Sequence, residues 1–250
     1  MLEHQFIQFG AMPEIPTCDM PLPVGDGMQT TFFIQGGISP QIDIITPDGI
    51  LIKSDAAQIA RLNDKGADSI YQLATLQDLS TVRPGACFRL RYTHQGEIVY
   101  SNLLQRVQPH KYAEVRYSCD EDAFGFPFSP LLADGTHPYL QLMLPIVLRK
   151  PQLKQSDKVY ETLTGKRIVI YATINKEYEA QTEYIHEDWH EKNVIALCCD
   201  HISIDGESLV RSESYEVNWD EYTETECGTK LAMATFKMQA NINQRNSNHG

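Results

Sequence analysis

The segment Arg167–Ile185, RIVIYATINKEYEAQTEYI, is the longest part of the chain in which apolar and polar residues alternate. Every second residue from Ile168 to Ile174 is apolar, and the same set of alternate positions continues from Tyr178 onward. A period of two over this length predicts one long β-strand, or two strands with a bulge near Asn175-Lys176. The segment therefore indicates a protein built on β-sheet.

The motif His186-Glu187-Asp188-Trp189-His190 directly follows this segment and matches H-E-x-x-H, the pattern with which one class of peptidases binds zinc. On one helix, His186 and His190 would share a face and could bind the same ion, with Glu187 as general base. The motif therefore raises a zinc metallopeptidase as one candidate function.

The residues around the motif favour a structural role instead. Asp188 is a favourable helix N-cap, and Glu191 lies three residues later, as in a capping box. These signals predict a helix over about Asp188–Cys199, which leaves His186 outside it and removes the helical spacing that a zinc site needs. No third histidine follows at the short spacing that extends the motif in some zinc peptidases. We therefore expect no metal, no cofactor and no catalytic residue, and keep the peptidase as the less favoured alternative.

Turn signals divide the rest of the chain into short segments of strand-like composition. Pro47-Asp48-Gly49, His94-Gln95-Gly96, Thr164-Gly165 and Asp205-Gly206 are typical hairpin turns. Strands are predicted at 30–35, 41–46, 50–53, 86–93, 97–104, 112–119, 139–148, 158–163, 167–185, 201–204, 207–210, 215–219 and 231–241. The pattern of apolar residues over 55–77 does not distinguish helices from strands. The pattern predicts a mainly β fold, one or two β-sandwiches built from hairpins with one α-helix on a flank.

Proline and glycine suggest where the chain divides. They are dense before residue 28, which is typical of an extended arm, and Pro21 and Pro23 become candidate contacts with a neighbouring subunit or with the arm's own domain. Pro109 marks a further boundary. The predicted parts are an extended arm 1–28, a β-rich subdomain 29–108, a β-sandwich with the helix 109–243 and a flexible tail 244–250.

Aromatic residues supply the remaining candidate contacts. Phe124, Phe126 and Phe128 crowd one predicted loop, either as a plug of the core or as an anchor at an interface. Both alternatives stay open at this point. Trp189 and Trp219, the two tryptophans of the chain, are predicted to be buried.

Composition and the absence of certain sequence patterns argue against several classes of function. The net charge of −12 and the absence of an evident Lys/Arg cluster argue against a face that binds nucleic acid. No apolar run approaches the roughly 20 residues of a membrane helix, and Met1–Phe6 does not resemble a signal peptide. We expect a chain that folds in the cytoplasm where it is made, with its six cysteines as free, mostly buried thiols.

Several segments of the second half carry a resemblance to a known group of proteins. They are Asp122-Ala123-Phe124-Gly125-Phe126, Leu148-Arg149-Lys150-Pro151-Gln152, Val159-Tyr160, Lys176-Glu177-Tyr178-Glu179, Trp189-His190-Glu191-Lys192, Ile195-Ala196-Leu197, Tyr215-Glu216-Val217-Asn218-Trp219 and Arg245-Asn246-Ser247-Asn248. On these segments, residues 100–250 resemble uncharacterised proteins from the tail regions of phages and prophages of Bacteroidetes, crass-like phages included.

The resemblance implies a non-enzymatic structural protein of the virion. It would be a ring or sleeve subunit of the tail or neck that forms homo-oligomers, contacts other tail proteins and is assembled in the host cytoplasm. The resemblance carries over no catalytic residue. A receptor- or carbohydrate-binding module at the tail tip is the alternative, and it would need a flat platform of exposed aromatic side chains.

Overall fold

The computed structural model describes residues 7, 9–12, 21–35, 41–62, 69–94, 96–108, 111–124, 126, 128–129, 135, 137–225 and 229–240. For residues 29–35, 60–62, 69–72, 94, 156–159 and 168–173 it describes the backbone alone. The predicted tail, 244–250, lies outside the described residues. Most of the described chain is β-strand, with one α-helix, so the predicted fold class, sandwich-like and mainly β, is confirmed.

The first half of the described chain forms two sheets and a single 3₁₀ turn, Leu79–Thr81. Its strands are β1 Phe9–Gly10, β2 Leu22–Val24, β3 Gln29–Gln35, β4 Gln41–Ile45, β5 Leu51–Lys53, β6 Ala57–Leu62, β7 Ser69–Leu76, β8 Cys87–His94, β9 Glu97–Ser101 and β10 Leu104–Arg106. The first sheet has the order β1-β9-β8-β10-β2, with β4 and β5 attached to β8. The second has the order β3-β7-β6, so the segment that composition left undetermined is a pair of strands.

The second half forms one large sheet with the helix. Its elements are β11 Ala113–Ser118, β12 Leu140–Leu144, β13 Ile146–Leu148, β14 Gln152–Glu161, β15 Arg167–Thr182, β16 Ile185–His186, α1 Glu187–Leu197, β17 His201–Ile204, β18 Glu207–Arg211, β19 Glu216–Glu224 and β20 Lys230–Ala240. The sheet has the order β12-β11-β17-β18-β20-β15-β13, with β14, β16 and β19 attached to it. Its first and last strands are consecutive across Pro145, so the sheet curls until its two ends meet at that proline.

Strand β15 is the predicted long strand, and it is one continuous element of 16 residues. The bulge lies elsewhere than predicted. The register with β14 shifts between Lys158 and Val159, opposite Ile170, rather than near Asn175-Lys176. A bulge adds one residue to one strand and reverses which of its later residues share a face. The regular alternation that the sequence predicts over Ile168–Ile174 is therefore interrupted within the strand.

Helix α1 begins one residue earlier than predicted and has a different N-cap. His186 is the cap: its backbone is extended, and its Nδ1 accepts a hydrogen bond from the Asp188 amide at 3.1 Å. Asp188 lies in the first turn, where its carboxylate and that of Glu187 face the positive end of the helix dipole. The prediction that Asp188 caps the helix is wrong, because the imidazole of His186 already satisfies that end. The prediction that His186 lies outside the helix is confirmed.

The predicted N-terminal arm is part of the first sheet over its described residues. Strand β2 pairs in parallel with β10, and β1 pairs with β9. Pro23 is buried between Leu22 and Val24, whose side chains belong to the first hydrophobic core, and Pro21 is half-buried. Pro23 is therefore not a free contact for a neighbouring subunit. The backbone of β2 pairs within its own chain because two apolar neighbours hold it in that core.

Each half of the described chain has its own hydrophobic core. Phe88, Leu90 and Leu104 are fully buried in the first core. The second core lies inside the curled sheet and under α1, and it also takes in Leu73 from the first half. Trp189 of α1 packs in return against the first core. The chain thus has two cores whose side chains cross the boundary that was predicted near Pro109.

Candidate interaction surface

The long hairpin of β14 and β15 extends beyond the body of the second half. Strand β20 pairs with β15 over Glu177–Gln181, and β13 pairs with it over Ala180–Thr182. Residues 153–176, which we call the ribbon, pair only with one another among the described strands. A two-stranded hairpin on its own is only marginally stable in water. The stability of the ribbon therefore depends on its attachment to the sheet and on any molecule that covers it.

The ribbon exposes apolar side chains. Leu153 is 70% exposed and Ile174 is 54% exposed, while Leu163 at the turn is fully exposed. The register places Leu153 opposite Lys176 and Gln155 opposite Ile174, so Leu153 and Ile174 lie on the same face of the ribbon. Side chains alternate between the two faces of a strand, so this face of the ribbon is continuous with the face of β15 that carries Tyr178. Tyr178 is buried in the second core. The core-facing side of β15 therefore extends into solvent. Contiguous exposed apolar groups of this kind mark interaction sites.

The ribbon and its base are basic within an acidic chain. Residues 149–176 contain seven of the 21 Lys/Arg residues but two of the 33 Asp/Glu residues. Three of the basic residues pair with nearby carboxylates on the same hairpin: Arg149 with Glu179, Lys154 with Glu177 and Arg167 with Glu161. Lys150, Lys166 and Lys176 have no ion-pair partner among the described residues. The prediction that the chain has no Lys/Arg cluster is wrong, because these seven basic residues lie within 28 positions and the pairing of β14 with β15 brings them onto one hairpin and its base.

The aromatic loop divides between core and surface. Phe126 and Phe128 are buried in the second core, with ring centroids 4.4 Å apart. They cannot serve as interface anchors, since their own chain covers them. Phe124 is exposed at a turn in which Ala123 and Phe126 exchange backbone hydrogen bonds. Its φ is +52°, a strained conformation for a bulky residue, and such strain is concentrated at functional positions. Phe124 stays a candidate contact.

His190 holds the helix to the sheet through both ring nitrogens. Its Nε2 lies 3.0 Å from the Ala232 carbonyl oxygen, which can only accept, so Nε2 carries the proton. In the neutral ring, Nδ1 then accepts from the hydroxyl of Tyr215 at 2.6 Å. The bonds that a zinc ion would require are already made to protein atoms, and His186 caps the helix from outside it. Within the described part of the chain, no group of three or more His, Cys, Asp or Glu side chains could hold a metal ion.

The stability of the folded chain is expected to fall at mildly acidic pH because of His190. Burial lowers the pKa of His190 below its ordinary value of 6.5. Between these two pKa values the unfolded chain binds a proton that the folded chain does not, so the contribution is complete above about pH 6.5 and is lost as the pH falls. Urea unfolding at pH 7.5 and 5.5 should show a larger loss for the wild type than for His190→Gln. An equal loss in both proteins would contradict this role.

The two tryptophans are less buried than the sequence predicts. Trp189 is half-buried against the first core, but Trp219 on β19 is 38% exposed, so the prediction that it is buried is wrong. One edge of its indole packs on His190 with ring centroids 5.7 Å apart, which leaves the remainder to solvent. Tyr222, on the same strand, is also exposed. The receptor- or carbohydrate-binding alternative stays a prediction.

The described cysteines are free, as predicted. Cys119 and Cys199 are buried, Cys87 is half-buried and Cys198 is exposed. Burial is the main cause that raises the pKa of the Cys199 thiol, which keeps it protonated and unreactive. The other two cysteines lie outside the described residues.

Comparison with protein-family models and with curated proteins finds no match for this chain. In the part of the chain that the structure describes, no helix has the length and apolar character needed to cross a membrane. The ribbon is the feature with the clearest capacity to bind another molecule. Sequence patterning missed it, although the spacing of basic residues between Arg149 and Lys176 could have revealed it.

Proposed function

We propose that this chain is a structural subunit of a virion, a component of a phage tail or neck that assembles with copies of itself into a ring or sleeve. The resemblance of residues 100–250 to tail-region proteins of Bacteroidetes phages supports the setting. The ribbon supports the mode of action, because it leaves the body of the subunit with its apolar face uncovered.

The uncovered face of the ribbon is the observation that carries the proposal. Leu153 and Ile174 extend the core-facing side of β15 beyond the sheet, where nothing in the described part of the chain covers them. Exposing such residues costs solubility, and a paired or covered surface removes that cost. Contact between copies would also order the ribbon, since its isolated pairing is marginal.

Assembly is expected to be detectable in the purified chain. Sedimentation at increasing concentration should give species at multiples of the 28.4 kDa subunit mass. Replacing residues 155–173 by a two-residue Asn-Gly turn should leave a folded monomer, because none of the described side chains of the removed part belongs to either core. Quantitative mass spectrometry of purified particles should find the chain in many copies. A chain that stays monomeric at every concentration and is absent from particles would rule the proposal out.

A further inference from the structure

We infer that the ribbon of one copy docks against strand β19 of a second copy, so that assembly proceeds head to tail through two different surfaces. This inference rests on the proposed function and names the surfaces that would carry it. It follows from strand order, charge and exposed side chains.

Strand order places the two surfaces on opposite sides of the pair of strands β20 and β15. Thr235 of β20 pairs with Gln181 of β15 on one side and with Glu216 of β19 on the other. Glu177 of β15 likewise pairs with β20 on one side and with β14 on the other. Strands β19 and β14 therefore lie on opposite sides of the β20-β15 pair, at different levels along it: β13 takes the place of β14 at Gln181, and β18 takes the place of β19 at Gln239.

The two surfaces also lie at opposite ends of β20. Strand β19 pairs with its first half, Lys230–Thr235, whereas the ribbon leaves β15 beyond Glu177, which pairs with Gln239 near the other end. Each of the three successive pairings is antiparallel, so β14 and β19 run in opposite directions. A second copy in the same orientation would thus present its β14 antiparallel to β19.

Charge makes the two surfaces complementary. Residues 205–224 contain seven acidic residues and one basic residue, and β19 itself has four acidic residues and no basic residue. The four acidic side chains of β19 have no ion-pair partner among the described residues; they are Glu216, Asp220, Glu221 and Glu224. The ribbon and its base supply Lys166, Lys176 and Lys150, which have no ion-pair partner among the described residues. Opposite charges on separate surfaces favour docking between copies and disfavour contacts between like surfaces.

Exposed apolar side chains occur on both surfaces. Trp219 and Tyr222 lie where β19 departs from β20, because the register shifts between Asn218 and Thr223. Such a departure interrupts the backbone edge and prevents a long ladder with another strand. The contact is therefore carried by side chains, with the aromatic groups of β19 against Leu153 and Ile174 of the ribbon. A contact between two different surfaces closes into a ring or continues as a filament.

Charge reversal on each surface tests the inference. We expect the ribbon variant Lys166→Glu/Lys176→Glu and the β19 variant Glu216→Lys/Glu221→Lys each to weaken self-association about 100-fold, since opposed like charges disfavour docking strongly. Mixing the two variants should restore assembly in a 1:1 ratio, because each reversed surface then meets its complement. Lys111→Glu, an exposed change away from both surfaces, serves as the control and should assemble like the wild type. Melting temperatures should confirm that all variants fold.

The outcomes separate this inference from the proposed function. If the wild type assembles but both charge variants assemble equally well, the ribbon and β19 are not the interface, and self-assembly stands. If each variant is monomeric and mixing restores nothing, both surfaces take part in assembly but do not dock on each other, and the inference is overturned. If the wild type itself does not assemble and is absent from particles, the proposed function fails first.

Discussion

Replacing Phe128 by Ala is expected to lower the free energy of unfolding by about 3–5 kcal/mol, the range for removing a buried aromatic ring from a packed core. Phe128 is fully buried in the second core, and its ring packs against that of Phe126. In the loop that carries both rings, the Ser129 amide donates to the Asp122 carboxylate. Removing the Phe128 ring would leave a cavity in the packed core, so that the lost contacts and the cavity both lower stability.

Phe124→Ala is the matched control, because Phe124 lies in the same loop but is exposed. This change should alter the free energy of unfolding by no more than about 0.5 kcal/mol, as for most surface substitutions. Urea unfolding followed by fluorescence and circular dichroism measures both variants. If Phe128→Ala were as stable as the wild type but failed to assemble, Phe128 would be an interface anchor after all, and its burial in the core would not govern its role.

Local signals were sufficient wherever a strand or turn is determined by its own residues. The alternation in β15 predicted a long strand because successive side chains of a strand point to opposite faces. Asp205-Gly206 predicted the tight turn between β17 and β18, in which both residues adopt positive φ. Pro145 lies inside the predicted strand 139–148, and the chain there passes from β12 to β13, since proline cannot donate to a central strand ladder.

Pairing between distant segments could not be predicted in the same way. Nothing in the residues of β2 indicates that it pairs with β10, some 80 positions later, because backbone hydrogen bonds carry no sequence information. The curl of the large sheet depends on β12 and β13 joining opposite ends of it, which is a property of the whole strand order. Asp188 was predicted as the cap because the usual capping residues are Ser, Thr, Asp and Asn, a group that does not include histidine.

The candidate surface was missed for a related reason. Alternation in β15 marked one side of the strand as apolar, and apolar sides are normally buried. Only the pairing partners show that β15 continues beyond Glu177 with β14 alone among the described strands. The alternation that predicts a core position at Tyr178 leads to an exposed side chain at Ile174, because no described element covers that face of the ribbon.

Arg91→Ala is expected to lower the free energy of unfolding by about 3–5 kcal/mol, the range for leaving a buried charge without its partner. Asp43 is 1% exposed and lies directly opposite Arg91 in the pairing of β4 with β8. The Arg91 Nη2 donates to Asp43 Oδ2 at 2.6 Å and Nε donates to the same oxygen at 3.2 Å. The other oxygen, Oδ1, accepts from the Gln41 amide and the Asp55 backbone. Without Arg91, only neutral donors would remain around a buried carboxylate.

A double-mutant cycle with Asp43→Asn separates the charge from the packing of the arginine stem. With Asn at this position there is no buried charge, so Arg91→Ala should then cost below about 1.5 kcal/mol, as for an ordinary hydrogen bond. Lys237→Ala, which removes an ion pair with the exposed Glu213, should cost less than about 1 kcal/mol. An equal cost of Arg91→Ala in both backgrounds would mean that the methylene stem of Arg91 stabilises the sheet by packing. The ion pair would then be incidental to the stability of the first core, and the opposed positions of β4 and β8 would depend on their apolar neighbours alone.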